Sequence, residues 1–262
     1  MFVKEDSIVR EIWVNSDTVL FIFAGAAAEF ALNKAVDWLY YTNKLPKDPL
    51  GRLFSTVKYA RTIIYSSEEQ AHQSIDFIQK IHASVETSRG MAIPDWAYRD
   101  VLFMLIDYSI ISYEILERKL TSGEKDEIYD VFYRFGSRMG LKELPENFSR
   151  WIPVREDHLK KNLQKSEFTS DLLKQYKKHL GLFRYNLLIG VQKLIVPEIA
   201  REMLFKNHFT IFKPIIVVYK ISKLLKIDAI LKSWLLPADY KKQIREIDVQ
   251  PETTPKEKPQ LE

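Results

Sequence analysis

Four helix starts, each written in local chemistry, constrain this chain more than any other feature. Asp48-Pro49, Ser66-Ser67-Glu68-Glu69, Pro94-Asp95 and Thr121-Ser122-Gly123-Glu124 each precede a run whose apolar residues recur every three or four positions. An aspartate caps free backbone N–H groups, and proline fits a first turn because no donor is needed there. The spacing of Ser66 and Glu69 is that of a capping box. Helices are therefore predicted from residue 48 to about 65, from 66 to about 87, from 94 to about 120 and from 121 to about 139, the last stopping at Gly140. A preceding helix begins after Ser16-Asp17 and runs to about residue 41. A loop from Leu144-Pro145 to Pro153 leads to helices near 155–164, 170–180, 185–194, 198–204, 212–225 and 229–235, with Pro197, Pro214 and Pro237 as punctuation. The segment 215–219 also suits a strand, but the surrounding pattern is helical.

With 46% hydrophobic residues and only 8 glycines, the chain has enough apolar material for a core and too little glycine for a turn-rich all-β fold. The expectation is an all-α protein: one multi-helix domain of about ten helices over residues 1–247, then a disordered tail over 248–262. That tail carries Pro251, Pro255 and Pro259 among Glu, Lys, Thr and Gln, a composition with too little apolar surface to fold.

The absence of cysteine removes disulfides, thiolate metal sites, iron–sulfur clusters and cysteine nucleophiles, and favours a reducing compartment. Acidic residues in Met1-Phe2-Val3-Lys4-Glu5-Asp6 argue against a secretory or transit sequence, so a cytoplasmic location is expected. A net charge of +4 is too balanced to imply nucleic acid. The basic excess is local: residues 201–237 hold Arg201, Lys206, Lys213, Lys220, Lys223, Lys226 and Lys232 against Glu202 and Asp228. That stretch reads either as a solvated helix face or as a peripheral contact for an anionic membrane. The apolar run from Val19 stops at Glu29, short of the roughly 20 residues that span a bilayer, and lysines interrupt residues 211–236.

His82 is the residue most suggestive of chemistry. It shares a helical stripe with Ala71, Ile75, Ile78 and Val85. There it is either a neutral core imidazole hydrogen-bonded to a carbonyl, or a ligand that holds haem iron from one side of a dry cavity. Glu86, four residues on, is placed to orient its ring. Arg52 and Thr56 are also four apart, beside Leu53, Val57, Ala60 and Ile64. An inward arginine next to a hydroxyl suits a buried carboxylate or a haem propionate, and it equally suits a simple pair with an acid. His72 points off the stripe, and His158, His179 and His208 read as exposed. Glu114 and Glu117 read as a solvated face, and Trp38-Leu39-Tyr40-Tyr41 as core. No serine-nucleophile elbow, phosphate-binding glycine loop or His-Glu-x-x-His motif is present.

At these segments the chain resembles the MpaB-like oxygenase family, which includes the latex-clearing (rubber oxygenase) proteins. The family pattern Asp-Pro-x-Gly-Arg-Leu-x-x-Thr stands here as Asp48-Pro49-Leu50-Gly51-Arg52-Leu53-Phe54-Ser55-Thr56, and its His-Ala-x-Val as His82-Ala83-Ser84-Val85. Leu105-Ile106-Asp107, Tyr113-Glu114, Gly140 and Leu144-Pro145 are similar to further family segments, so the resemblance runs from about residue 18 to 205. It implies an all-α fold and a haem b whose iron is held by His82, with Arg52 and Thr56 near the pocket. It also implies an apolar, unsaturated, isoprenoid or lipid-like substrate attacked with O2. Three positions depart from the pattern. Ala28-Glu29-Phe30 replaces Ala-His-Pro, Asp100-Val101-Leu102 replaces Trp-Val-His, and Ser55 replaces a lysine. Glu29 is then either a surface acid or a catalytic base in place of the first histidine. The rival readings are a non-catalytic member of the fold that binds a lipophilic ligand or a membrane, and a helical scaffold whose basic face docks a protein.

Overall fold

The computed structural model describes residues 1–41, 47–206, 220, 246 and 247. Among these the chain forms ten helices and no strand. They are α1 (Ile8–Val14), α2 (Ser16–Leu32), α3 (Val36–Tyr41), α4 (Pro49–Tyr65), α5 (Glu68–Arg89), α6 (Asp95–Leu116), α7 (Ser122–Arg138), α8 (Phe148–Asn162), α9 (Glu167–Ile195) and α10 (Glu198–Leu204). The helices expected at 212–225 and 229–235, the basic stretch beyond Lys206 and the tail at 248–262 lie outside the described residues, apart from Lys220.

The local start signals act as read. The Asp48 carboxylate accepts the Gly51 N–H at 2.8 Å, with Pro49 in the first turn of α4. Thr121 and Glu124 close a reciprocal capping box on α7. On α5 the box is one residue later than its sequence suggested: Ser67 pairs with Gln70, and Gly90 ends the helix in the left-handed conformation at φ 69°.

α2 is the hub. It is apolar nearly all round, as a helix buried on every side must be, and it packs most extensively on α6 and then on α9. Gly25 makes the α2–α6 approach close, since a Cβ there would lie 2.3 Å from a ring carbon of Tyr108. α1 precedes α2 with an 87° bend at Asn15, whose side chain caps the Asp17 and Thr18 amides. Only this bent pair has the combined length and composition of a membrane span; no single helix among the described residues is long and apolar enough to cross.

Three elements differ from expectation. The first long helix stops at Leu32 because buried Asn33 bridges Leu163, its side-chain amide donating to Asp100 at 2.7 Å and its Oδ1 accepting the Ala35 N–H. α8 begins at Phe148, not 155. Asn147 caps it, and the buried face Trp151, Arg155 and Leu159 carries the helix through Pro153, which removes one internal bond. The sixth helix ends at Leu116 rather than near 120, where the Glu114 carboxylate accepts the Leu120 N–H and pairs with Lys119 and Lys125. Glu114 and Glu117 are thus not a free solvated face: Glu117 accepts the Asn15 side-chain amide at 3.1 Å.

Candidate functional site

α4 and α5 form an antiparallel hairpin joined at Ser66-Ser67. Arg52 lies 13 residues before the end of α4 and His82 14 residues after the start of α5, so both stand about 20 Å from the turn, at one height of the pair. The stripe that carries His82 enters the core at Ala71 and Ile75, both fully buried, and is half-buried at Ile78, His82 and Val85. His82 thus sits where the helix emerges from the core.

The ring of His82 lies 5.2 Å from that of Tyr98 on α6. Its Nδ1 is buried and has no hydrogen-bond partner among the described residues. The expected orienting acid is otherwise engaged: Glu86 Oε1 accepts the Ile93 N–H at 2.8 Å and the Tyr98 hydroxyl at 3.1 Å. Burial first, and then the charge of Arg52, push the His82 pKa below the ordinary value of 6.5, against a smaller upward pull from Glu86. The imidazole is therefore neutral at neutral pH, with a lone pair to give.

Arg52 makes no ion pair with a described residue, and it is solvent-exposed while burial still lowers its pKa. Arg52 is thus not the inward arginine its sequence suggested, although its charge still bears on the neighbouring His82. Thr56 is half-buried, and its hydroxyl donates to the Arg52 carbonyl oxygen at 3.1 Å. The donor is spent within the helix, and the oxygen remains able to accept.

Glu29 is neither on the surface nor beside His82 in any recorded contact. It is 1% exposed and clamped by Arg155 from α8 through two hydrogen bonds of 2.6 Å, with the Tyr108 hydroxyl donating at 2.8 Å. Arg155 also reaches Asp107 at 3.0 Å. Burial alone would lower the Arg155 pKa, but Glu29 and Asp107 together hold it above the ordinary arginine value. One to two turns further along, Asp100 collects Asn33 at 2.7 Å, Asn162 at 2.9 Å and His158 Nδ1 at 2.5 Å. His158 is therefore not exposed as its sequence suggested; its ring sits 5.1 Å from that of Phe103. This polar seam between α2, α6 and α8 eluded the sequence reading. Its signal was present as Arg155 on the stripe of Trp151 and Leu159, and as Asp100 and Asp107 seven apart on a buried helix.

Among the described residues no three His, Asp or Glu side chains converge as a metal site. A surface cleft of about 570 Å³, lined by Asp126, Tyr129, Tyr133, Glu146 and Phe148 among others, contains none of the residues selected from sequence. No curated protein and no solved structure matches the chain. Residues 13–204, by contrast, match the family described as ER-bound oxygenase mpaB/B'/Rubber oxygenase, catalytic domain. The match spans α2 through α10 and includes both Arg52 and His82, and the chain belongs to that oxygenase family.

Proposed function

We propose that the protein is a haem-b-dependent oxygenase that uses O2 on an apolar, unsaturated substrate of isoprenoid or lipid-like character. The observation that carries this reading is the neutral, half-buried His82, whose buried Nδ1 has no hydrogen-bond partner among the described residues, near an arginine that pairs with no described acid. A buried polar atom without a partner is costly unless a ligand relieves it, and an imidazole is a donor that would hold haem iron. Haem, when bound, supplies the redox chemistry and the activation of dioxygen.

The chain's own residues do the rest. His82 would hold the iron of a haem, and Tyr98 packs against its ring. Arg52 would pair with a propionate, and Thr56 would offer its hydroxyl oxygen as an acceptor beside it. Ile78 and Val85, one turn to either side of His82, keep water from the imidazole. To Glu29 we assign a positioning part: both of its oxygens are held by Arg155 in the interior, away from any surface a substrate reaches. A cytoplasmic location, with peripheral membrane contact through residues 201–237, belongs to the same reading and is supported by the basic, apolar composition there.

The test is an absorption spectrum of purified protein with and without added haem, beside His82→Ala and Arg52→Ala. A Soret band that His82→Ala abolishes and Arg52→Ala weakens is the expected result. No band in haem-replete protein overturns the proposal. The second reading, a non-catalytic member that binds a lipophilic ligand, is favoured by one observation: the position where the family pattern has its first histidine is a carboxylate locked in an ion pair. Binding of a fluorescent lipid by colourless protein would select it.

A further inference from the structure

One carboxylate oxygen joins three pieces of chain beside His82. Glu86 stands one turn after His82 on α5, and its Oε1 accepts the Ile93 N–H at 2.8 Å and the Tyr98 hydroxyl at 3.1 Å. Ile93 lies in the turn opened by Gly90, and Tyr98 in the first turn of α6. The Glu86 backbone carbonyl also accepts the Met91 N–H at 3.2 Å, so main chain and side chain of one residue both tie this turn. Apolar contacts back the polar ones: Val85, Ile93 and Trp96 pack against Ala35, Trp38 and Ala97. Tyr98 is left with its hydroxyl held at one end and its ring against that of His82, the centroids 5.2 Å apart and the planes inclined at 58°.

A histidine that holds a metal is ordinarily oriented by a bond from its second nitrogen to a carboxylate or carbonyl. The buried Nδ1 of His82 makes no such bond among the described residues. Glu86, the acid that helical spacing brings near it, is spent instead on Ile93 and Tyr98. We propose that Glu86 is a positioning residue for His82 that acts through Tyr98: the hydroxyl bond fixes the phenol, and the phenol ring fixes the imidazole. The relay is anchored at both ends, since Tyr98 stands in α6 and Glu86 shares α5 with His82. Its consequence for haem iron rests on the proposed oxygenase reading; the setting of the ring does not. If Glu86 only held the turn, the Ile93 bond would suffice and the Tyr98 hydroxyl would be dispensable to His82. If Glu86 acted by its charge, an uncharged acceptor of the same shape would not replace it.

The experiment is acylation by diethyl pyrocarbonate of the full, haem-free chain at about pH 8, where imidazoles are neutral. Mass spectrometry reads the rate at His82, with exposed His179 as the internal reference. Tyr98→Phe removes only the hydroxyl, Glu86→Ala removes the acceptor, and Glu86→Gln keeps an accepting oxygen without the charge. Thermal unfolding checks that each variant keeps the parent fold. Tyr98→Phe and Glu86→Ala are each expected to raise the His82 rate about two- to tenfold, the worth of one hydrogen bond. The double variant is expected to go no further, because both changes cut the same bond. Glu86→Gln is expected to react like the parent. With haem added, the two disruptive variants are expected to shift the Soret band and Glu86→Gln to leave it in place. The proposal is overturned if Tyr98→Phe reacts like the parent, which would leave Glu86 a tie of the turn alone. It is overturned too if Glu86→Gln reacts like Glu86→Ala, or if the two single effects add in the double variant. A parent without a Soret band would end the oxygenase reading and leave the haem-free result standing, so the two failures are told apart.

Discussion

The surroundings of His82 and the Glu29 seam hold similar residue types in opposite states. In the seam, every carboxylate meets a cation or an amide: Arg155 holds Glu29 and Asp107, while Asn33, Asn162 and His158 surround Asp100. Around His82, a buried ring nitrogen has no hydrogen-bond partner and Arg52 no ion pair among the described residues. Saturated polar groups lock helices together and leave nothing for a substrate, whereas unsaturated ones pay an interior cost that a ligand can remove. The difference separates architecture from chemistry more sharply than residue type does, since both regions contain a histidine, a tyrosine, an arginine and an acid.

The hardest blow to that contrast is Arg155→Ala. It strands two carboxylates in the interior and is expected to cost about 3–5 kcal/mol in denaturant unfolding while leaving His82 untouched. A loss under about 1 kcal/mol would mean that the seam does not hold the three helices as its geometry implies. Gly25→Ala acts on the seam from the other side, driving a methyl group into the ring of Tyr108; an overpacking loss of about 1–3 kcal/mol is expected from the same measurement.

Smaller effects belong to the surroundings of His82. Asp48→Ala removes the cap of α4 and should cost about 1 kcal/mol. The haem titration should weaken with it, because the frayed turn is the one that carries Arg52. His82→Leu should change stability least, staying within about 1 kcal/mol of the parent, since it replaces an unpartnered polar ring by an apolar group. A larger loss would show that the imidazole is a structural member after all. The same variant tests the pH response. His82 takes a proton less readily in the fold than in the unfolded chain, so its contribution is intact above the ordinary value of 6.5 and is lost as the pH falls below it. The parent's unfolding midpoint should therefore decline on acidification through that range, with the decline shallower in His82→Leu.

The helical faces around His82 were legible in advance, because periodicity is a property of neighbouring residues, but their depth was not: the stripe from Ala71 to Val85 is buried only at its start, and Arg52, expected inward, is exposed. What Glu86 bonds to was not legible: the Ile93 amide and Tyr98 reach it only after the chain has turned at Gly90. The seam was hidden for the same reason on a larger scale. Glu29 and Arg155 are 126 residues apart, and nothing near either one names the other.

Starts and stops of helices followed from the chain's own local chemistry. Asp48, Ser67 and Thr121 satisfy amides within three residues of themselves, and Gly90 turns left-handed where another residue would be strained. Packing decided the rest. Asn33 ends α2 in mid-pattern because Asp100 and Leu163 hold it there, and the face of Trp151, Arg155 and Leu159 carries α8 through Pro153. A cap is a contact within one turn and can be read from spacing. A buried charge takes whichever partner the fold brings within hydrogen-bonding reach, and that choice exists only once the helices have met.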